Sequence, residues 1–170
     1  MKLNVIGFLV LSLLLVVLSA CSSAAPGSTS EAAQFVGIVG GSGSNLTLNG
    51  QRLNLSKASI TQDGDAATAA TIQPGVELEV EGQSSNDGFD ASRIDAKTRV
   101  KGQVDTVTTG GLEVVGVAVA VDANTILVNR NADGSFTTLA LADIQPRDYL
   151  EVYGVPRNDN SVLATRIVRK

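Results

Sequence analysis

The sequence predicts an all-β protein built from two tandem small β-barrels, each of about five short strands, behind an N-terminal signal and a flexible tether. Three observations carry that expectation. After Phe35, apolar and polar residues alternate at a period of two, and helical period is nearly absent. Turn signals such as Asn49-Gly50, Asp63-Gly64-Asp65, Asn86-Asp87-Gly88 and Asp133-Gly134 cut the chain into short runs. The same succession of motifs occurs twice, in the same order.

Residues 1–20 read as an address rather than as fold. Lys2 is a minimal positive region, and Val5 to Leu18 is almost wholly apolar, interrupted by Gly7 and Ser12. That stretch suits a signal peptide and is too short to span a bilayer comfortably. It ends in Leu18-Ser19-Ala20-Cys21, which resembles the lipobox of bacterial lipoproteins. The resemblance implies that the Cys21 thiol takes a diacylglycerol and that residues 1–20 are removed. Two or more acyl chains, at ~0.8 kcal/mol per buried methylene, make a durable anchor. Residues 21–34 are then a Ser/Ala/Thr-rich tether with a coil-like reach of about 20 Å. The membrane is thus an expected partner, through the lipid, and the cell envelope the expected location. Ser22 after the cysteine, rather than Asp, resembles the sorting rule for the periplasmic side of the outer membrane in a two-membrane bacterium. With one membrane, the protein is expected on its outer face.

The duplication rests on three matches. Val36-Gly37-Ile38-Val39 is echoed by Lys101-Gly102-Gln103-Val104. The run Ile72 to Gly82 returns as Ile144 to Gly154, each opening on Ile-Gln-Pro and closing on Gly. Ala91-Ser92-Arg93-Ile94 returns as Ala164-Thr165-Arg166-Ile167. The copies accordingly span 35–98 and 99–170, with almost no linker. Units of that size fold alone only marginally, and closing each into a barrel packed against the next removes exposed edges.

In the first copy, Leu46-Thr47-Leu48 and Gln51 to Leu55 flank the hairpin signal Asn49-Gly50. Pairing across it sets Leu46 opposite Leu53 and Leu48 opposite Gln51, so Leu46, Leu48, Leu53 and Leu55 share one face. In the second, Leu112 and Val114 precede Val115-Gly116, and Val117, Val119 and Val121 follow. Val76, Leu78 and Val80 alternate with Glu77, Glu79 and Glu81, and a turn at Asn86-Asp87-Gly88 leads to a last strand through Arg93 and Ile94. The second copy carries extra length: Thr125 to Val128 and Phe136 to Leu139, around Asp133-Gly134, read as an added hairpin.

This grammar of Gly-x-Val opening, hairpin turn, Leu-Glu-Val-x-Gly and Ala-[Ser/Thr]-Arg-Ile is similar to domain-of-unknown-function family 5666, an exported bacterial family often found in tandem behind a lipoprotein signal. The resemblance covers about 135 residues, everything after the tether. It implies five-stranded OB-like barrels and supplies no catalytic residues. Arg147 and Asp148, where the first copy has Gly75 and Val76, depart from the glycine turn expected there.

Composition removes several function classes. The 170 residues carry 13 Lys and Arg against 17 Asp and Glu, for a net charge of −4, with no His, no Trp and one Cys. A His-based triad, a His-ligated metal and an intrachain disulfide or thiolate site are excluded. An acidic, aromatic-poor chain is also unsuited to nucleic acid, which calls for clustered cations and stacking rings. Neither Ser-x-x-Lys nor Gly-x-Ser-x-Gly occurs. No catalytic residue, metal or cofactor is assigned.

Three places merit attention as sites. Tyr149 and Tyr153 stand where the first copy has Glu77 and Glu81, on the outward phase of their strand and flanked by Arg147 and Arg157. On an open face they suit a glycan or a partner protein; the alternative is packing at the seam between copies. Glu77, Glu79 and Glu81 share one strand face, spaced for a weak cation site or for a solvated face with Arg93 as partner, and Glu151 and Arg166 repeat that combination. Asn129-x-Asn131-x-Asp133-Gly134 resembles half a calcium loop, but the twelfth position is Ala140 rather than an acid, which favours a hairpin turn.

The reading that follows is a lipid-anchored, non-catalytic envelope module that binds an envelope protein or glycan. A structural or stress-related spacer without a specific ligand is the alternative, and a carboxylate-based hydrolase a remote third.

Overall fold

Alternating apolar residues and tight turns fold residues 32–170, the part that the computed structural model describes, into strands joined by short loops and two single turns of 3-10 helix. The first half holds β1 (Ala33–Ser42), β2 (Asn45–Leu48), β3 (Gln51–Asn54), β4 (Ser59–Gln62), β5 (Asp65–Ala66), β6 (Glu77–Ser85) and β7 (Gly88–Lys97). The second holds β8 (Val100–Thr108), β9 (Gly111–Val114), β10 (Val117–Ala120), β11 (Ile126–Arg130), β12 (Phe136–Thr138), β13 (Tyr149–Pro156) and β14 (Val162–Arg169). The protein is all-β, in two seven-stranded sheets. Among the described residues, no helix is long and apolar enough to cross a membrane.

The two sheets have one topology. Their orders are β3-β2-β1-β6-β7-β4-β5 and β10-β9-β8-β13-β14-β11-β12. The long first strand of each half pairs with two partners along its length: residues 33–38 of β1 with β6, and residues 39–42 with β2. A parallel pairing, Leu53 with Phe89 and Val119 with Val162, then joins the third strand of each half to its last.

The expectation of five strands per unit is corrected to seven. Both copies insert a hairpin before the Ile-Gln-Pro segment, β4–β5 in the first and β11–β12 in the second. The second-copy hairpin is thus a longer form of one already present in the first. Strand β5 is two exposed residues long, too short to show a period. Strand β1 also starts two residues before the expected boundary, since Ala33 and Gln34 pair with Gly82 and Glu81.

Period-two burial fills each half. Ile72, Leu78 and Ile94 are fully buried in the first, and Ile144, Leu150 and Ile167 stand at the same repeat positions in the second. Leu46, Leu48 and Leu53 join the first core as their shared face requires, and Phe35 meets Phe89 edge-on at 4.8 Å. Both long hairpins carry a bulge at the same place, before Gly82 and before Gly154. A Cβ at either glycine would lie 2.2 Å from a carbonyl of the facing strand, so only glycine fits there.

The halves are joined by a packed seam. Val128, Tyr153 and Val168 of the second half belong to the core of the first, with Ile126 and Phe136 packed against it. The Arg166 guanidinium lies 5.0 Å above the Phe136 ring and donates to the Pro74 carbonyl at 3.0 Å. Beside it, the Thr165 hydroxyl donates to the Gly75 carbonyl at 2.6 Å.

Candidate functional site

Strand β13 presents the tyrosines expected as a contact face, and the structure parts them. Tyr149 is 42% exposed, whereas Tyr153 is 3% exposed under the first half. The Gln62 amide donates to the Tyr153 hydroxyl at 3.0 Å. Burial, aided by the charge of Glu151, pushes the Tyr153 phenol up to about 12. Arg147 and Arg157 lie in the turns before and after this eight-residue strand, which spans roughly 25 Å. The four residues do not form one patch. An outward phase is open only where nothing packs on it, and here the first half covers the middle of the strand.

The carboxylate face is also corrected. Glu77 is buried and accepts from Arg99 Nε and Nη2 on its two carboxylate oxygens, and Glu79 pairs with Lys97 at 3.3 Å. Lys97 also holds Asp95. Burial works against ionisation of Asp95, but Lys97, the Thr61 hydroxyl and the Gly64 N–H outweigh it and keep this carboxyl below its usual range. Glu81 faces Arg93 in register without the three carboxylates converging. In the second half Glu151 takes Lys170 at 2.7 Å and Lys101 at 3.4 Å, rather than Arg166. Among the described residues no group of three or more His, Cys, Asp or Glu is placed to hold a metal ion. The calcium-like run is a hairpin loop in which Asp133 accepts from the Ser135 hydroxyl and N–H. Cys21, the signal and residues 21–31 of the tether lie outside the described residues.

Two of the concave features among the described residues lie at equivalent places in the two halves. In the first half the β1–β2 turn (Gly43, Ser44), β3 and the β6–β7 turn (Ser85, Asp87) enclose a cleft of about 610 Å³. Leu46, Leu53 and Phe89 form its floor, while Arg52, Asn54, Asp87 and Asp90 stand on its rim. The Asn54 amide donates to Asp90 at 2.8 Å, which fixes both side chains. In the second half the β8–β9 turn, β10 and the β13–β14 turn enclose a shallower cleft of about 380 Å³, with Arg157, Asp159 and Ser161 on one side. An apolar floor with amide, carboxylate and guanidinium groups around it can hold a flat, polyhydroxylated ligand. Of these residues, the sequence singles out only Arg157 as a contact; Arg52 and Asn54 fall in an expected strand and Asp87 in an expected turn. The available signal was the coincidence of turn residues in both copies, visible only once strands β3 and β10 are placed between them.

Residues 38–95 and 101–168 match a family described as a domain of unknown function, DUF5666. No curated protein and no solved structure matches the chain.

Proposed function

The chain belongs to the DUF5666 family in two consecutive copies, and we propose that it is a lipid-anchored, non-catalytic module of the cell envelope that binds a glycan through the clefts of two OB-like barrels. The barrel reading is supported by the pairings, which run from β1 through β2, β3, β7 and β6 back to β1. In OB folds the face of the second and third strands and the flanking loops take oligosaccharides or oligonucleotides. The acidic charge of −4 disfavours the second of these. The anchor reading rests on the Leu18-Ser19-Ala20-Cys21 pattern. One observation carries the proposal: a cleft with an apolar floor and hydrogen-bonding rim occurs at the same place in both copies.

Calorimetric titration of residues 32–170 with soluble peptidoglycan fragments, and with dextran as an unrelated polymer, tests it. Saturable heat with one polymer, lost in Arg52→Ala/Asp90→Ala at an unchanged melting midpoint, is the expected result. Flat titrations with both would leave the spacer reading, which the packed seam supports. Cys21→Ala is expected to move the protein out of the membrane fraction.

A further inference from the structure

The two halves meet through unlike surfaces. The second half offers the outer face of β11, β14 and β13, with Ile126, Val128, Val168 and Tyr153 as its apolar residues. The first half offers the Pro74-Gly75 turn and Val76, whose carbonyls and small surface receive Thr165 and Arg166. Such a head-to-tail contact does not close on itself, and a chain of identical units joined this way would grow into a filament.

The unused copy of each surface differs in a consistent direction. Registers align β4 with β11 and β7 with β14, so that Ser59, Thr61, Asp95 and Glu81 occupy the places of Ile126, Val128, Val168 and Tyr153. All four apolar seam residues are thus polar or charged on the outer face of the first half. At the other end, the Pro146-Arg147 turn of the second half repeats the backbone bonds of Pro74-Gly75. Arg147 donates to Val104 as Gly75 donates to Val39, and Val104 donates to Asp148 as Val39 donates to Val76. Yet Arg147 and Asp148 replace Gly75 and Val76. A Cβ on Gly75 would lie 2.8 Å from the Thr165 carbonyl oxygen and 2.9 Å from the Arg166 Cβ, closer than a packed seam admits. Arg147 carries that Cβ and a long cation beyond it, on a left-handed backbone at φ 77 that glycine would adopt more easily.

We propose that the contact between halves is a repeatable, directional unit–unit interface, and that Arg147 at one end and the polar face of Ser59 and Glu81 at the other cap it, so that a second copy of the chain cannot join at either end. Stacked repeats need end units with polar outer faces for the same reason. Ser92 and Arg93 stand at the free end where Thr165 and Arg166 stand in the seam, with the Ser92 hydroxyl donating to the Glu81 carbonyl at 3.1 Å, so the block lies in the polar face and the steric cap. The inference is independent of any ligand in the clefts.

Removing the caps from the full chain tests it, with the protein extracted in detergent and its mass read by density-matched sedimentation. Ser59→Ile/Glu81→Tyr/Arg147→Gly changes side chains that make none of the ion pairs described above. The expected result is a single-chain mass for the unaltered protein and concentration-dependent multiples for the triple variant. If the triple variant unfolds, Glu81→Tyr/Arg147→Gly is read in the same way. Conversely, Gly75→Arg transfers the cap to the occupied turn and is expected to open the seam, read as faster tryptic cleavage after Arg99. A folded uncapped variant that keeps single-chain mass, an unaltered protein that already forms multiples, or a Gly75→Arg protein as resistant as its parent would each overturn the proposal.

Discussion

Tyr149 and Tyr153 sit four residues apart on β13, and one is open while the other is buried against the neighbouring half. Their fates as mutants should therefore diverge. Tyr149→Glu restores the residue type the first copy carries at Glu77 and is expected to move stability by no more than about 0.5 kcal/mol, as exposed substitutions do. Tyr153→Glu places a carboxylate under Val128 and Val168 and removes the hydroxyl that accepts from the Gln62 amide at 3.0 Å, an expected loss of about 3–5 kcal/mol. Thermal melts of the two single variants separate these outcomes, and a mild effect of both would put Tyr153 outside the core. The phase of the strand was legible from Leu150 and Val152. Which outward residues are covered was not, because that depends on a surface seventy or more residues away in the other half.

At the scale of the element, the hairpins show how far turn grammar reaches. Asn49-Gly50 and Val115-Gly116 both adopt left-handed turns, at φ 52 and 82 and at φ 44 and 77. Asn tolerates that conformation, and the Asn49 amide donates to the Val36 carbonyl at 3.1 Å. Val115 is β-branched, 58% exposed, and has no such bond to offer. Val115→Asn is expected to stabilise the protein by about 1 kcal/mol, through relief of strain and an amide positioned for the Lys101 carbonyl. A denaturant midpoint that stays or falls would show that the turn is not strained. The same grammar located β2, β3, β9 and β10 but missed β4 and β5, a four-residue strand and the two-residue edge strand that pairs with it. It also misjudged the ion pairs, since Glu77 takes Arg99 beyond the end of β7 and Glu79 takes Lys97, the last residue of β7, rather than Arg93. Side-chain reach, rather than register, decided between them.

For the whole molecule, duplication was the most legible feature and the seam the least. Each half owns a core, the second through Val104, Val114, Ile144, Leu150 and Ile167. Residues 99–170 alone are accordingly expected to fold as β structure, with a lower melting midpoint because Ile126, Val128, Tyr153 and Val168 lose their cover. Tyr153 reports the difference directly. In the whole chain its phenol is pushed from the ordinary 10.0 up to about 12, chiefly by burial and then by Glu151. A raised phenol means the fold favours the neutral form. Its contribution to stability is full below pH 10 and is lost as pH rises from there towards 12. In a Tyr149→Phe background, phenolate absorbance follows Tyr153 alone, since the chain has two tyrosines. The fragment should ionise closer to 10, with Glu151 holding back a remainder, and its alkaline loss of stability should shrink accordingly. Titration near 12 in the fragment as well would place the burial of Tyr153 within its own half, and the packed seam would then have to be abandoned as its cause.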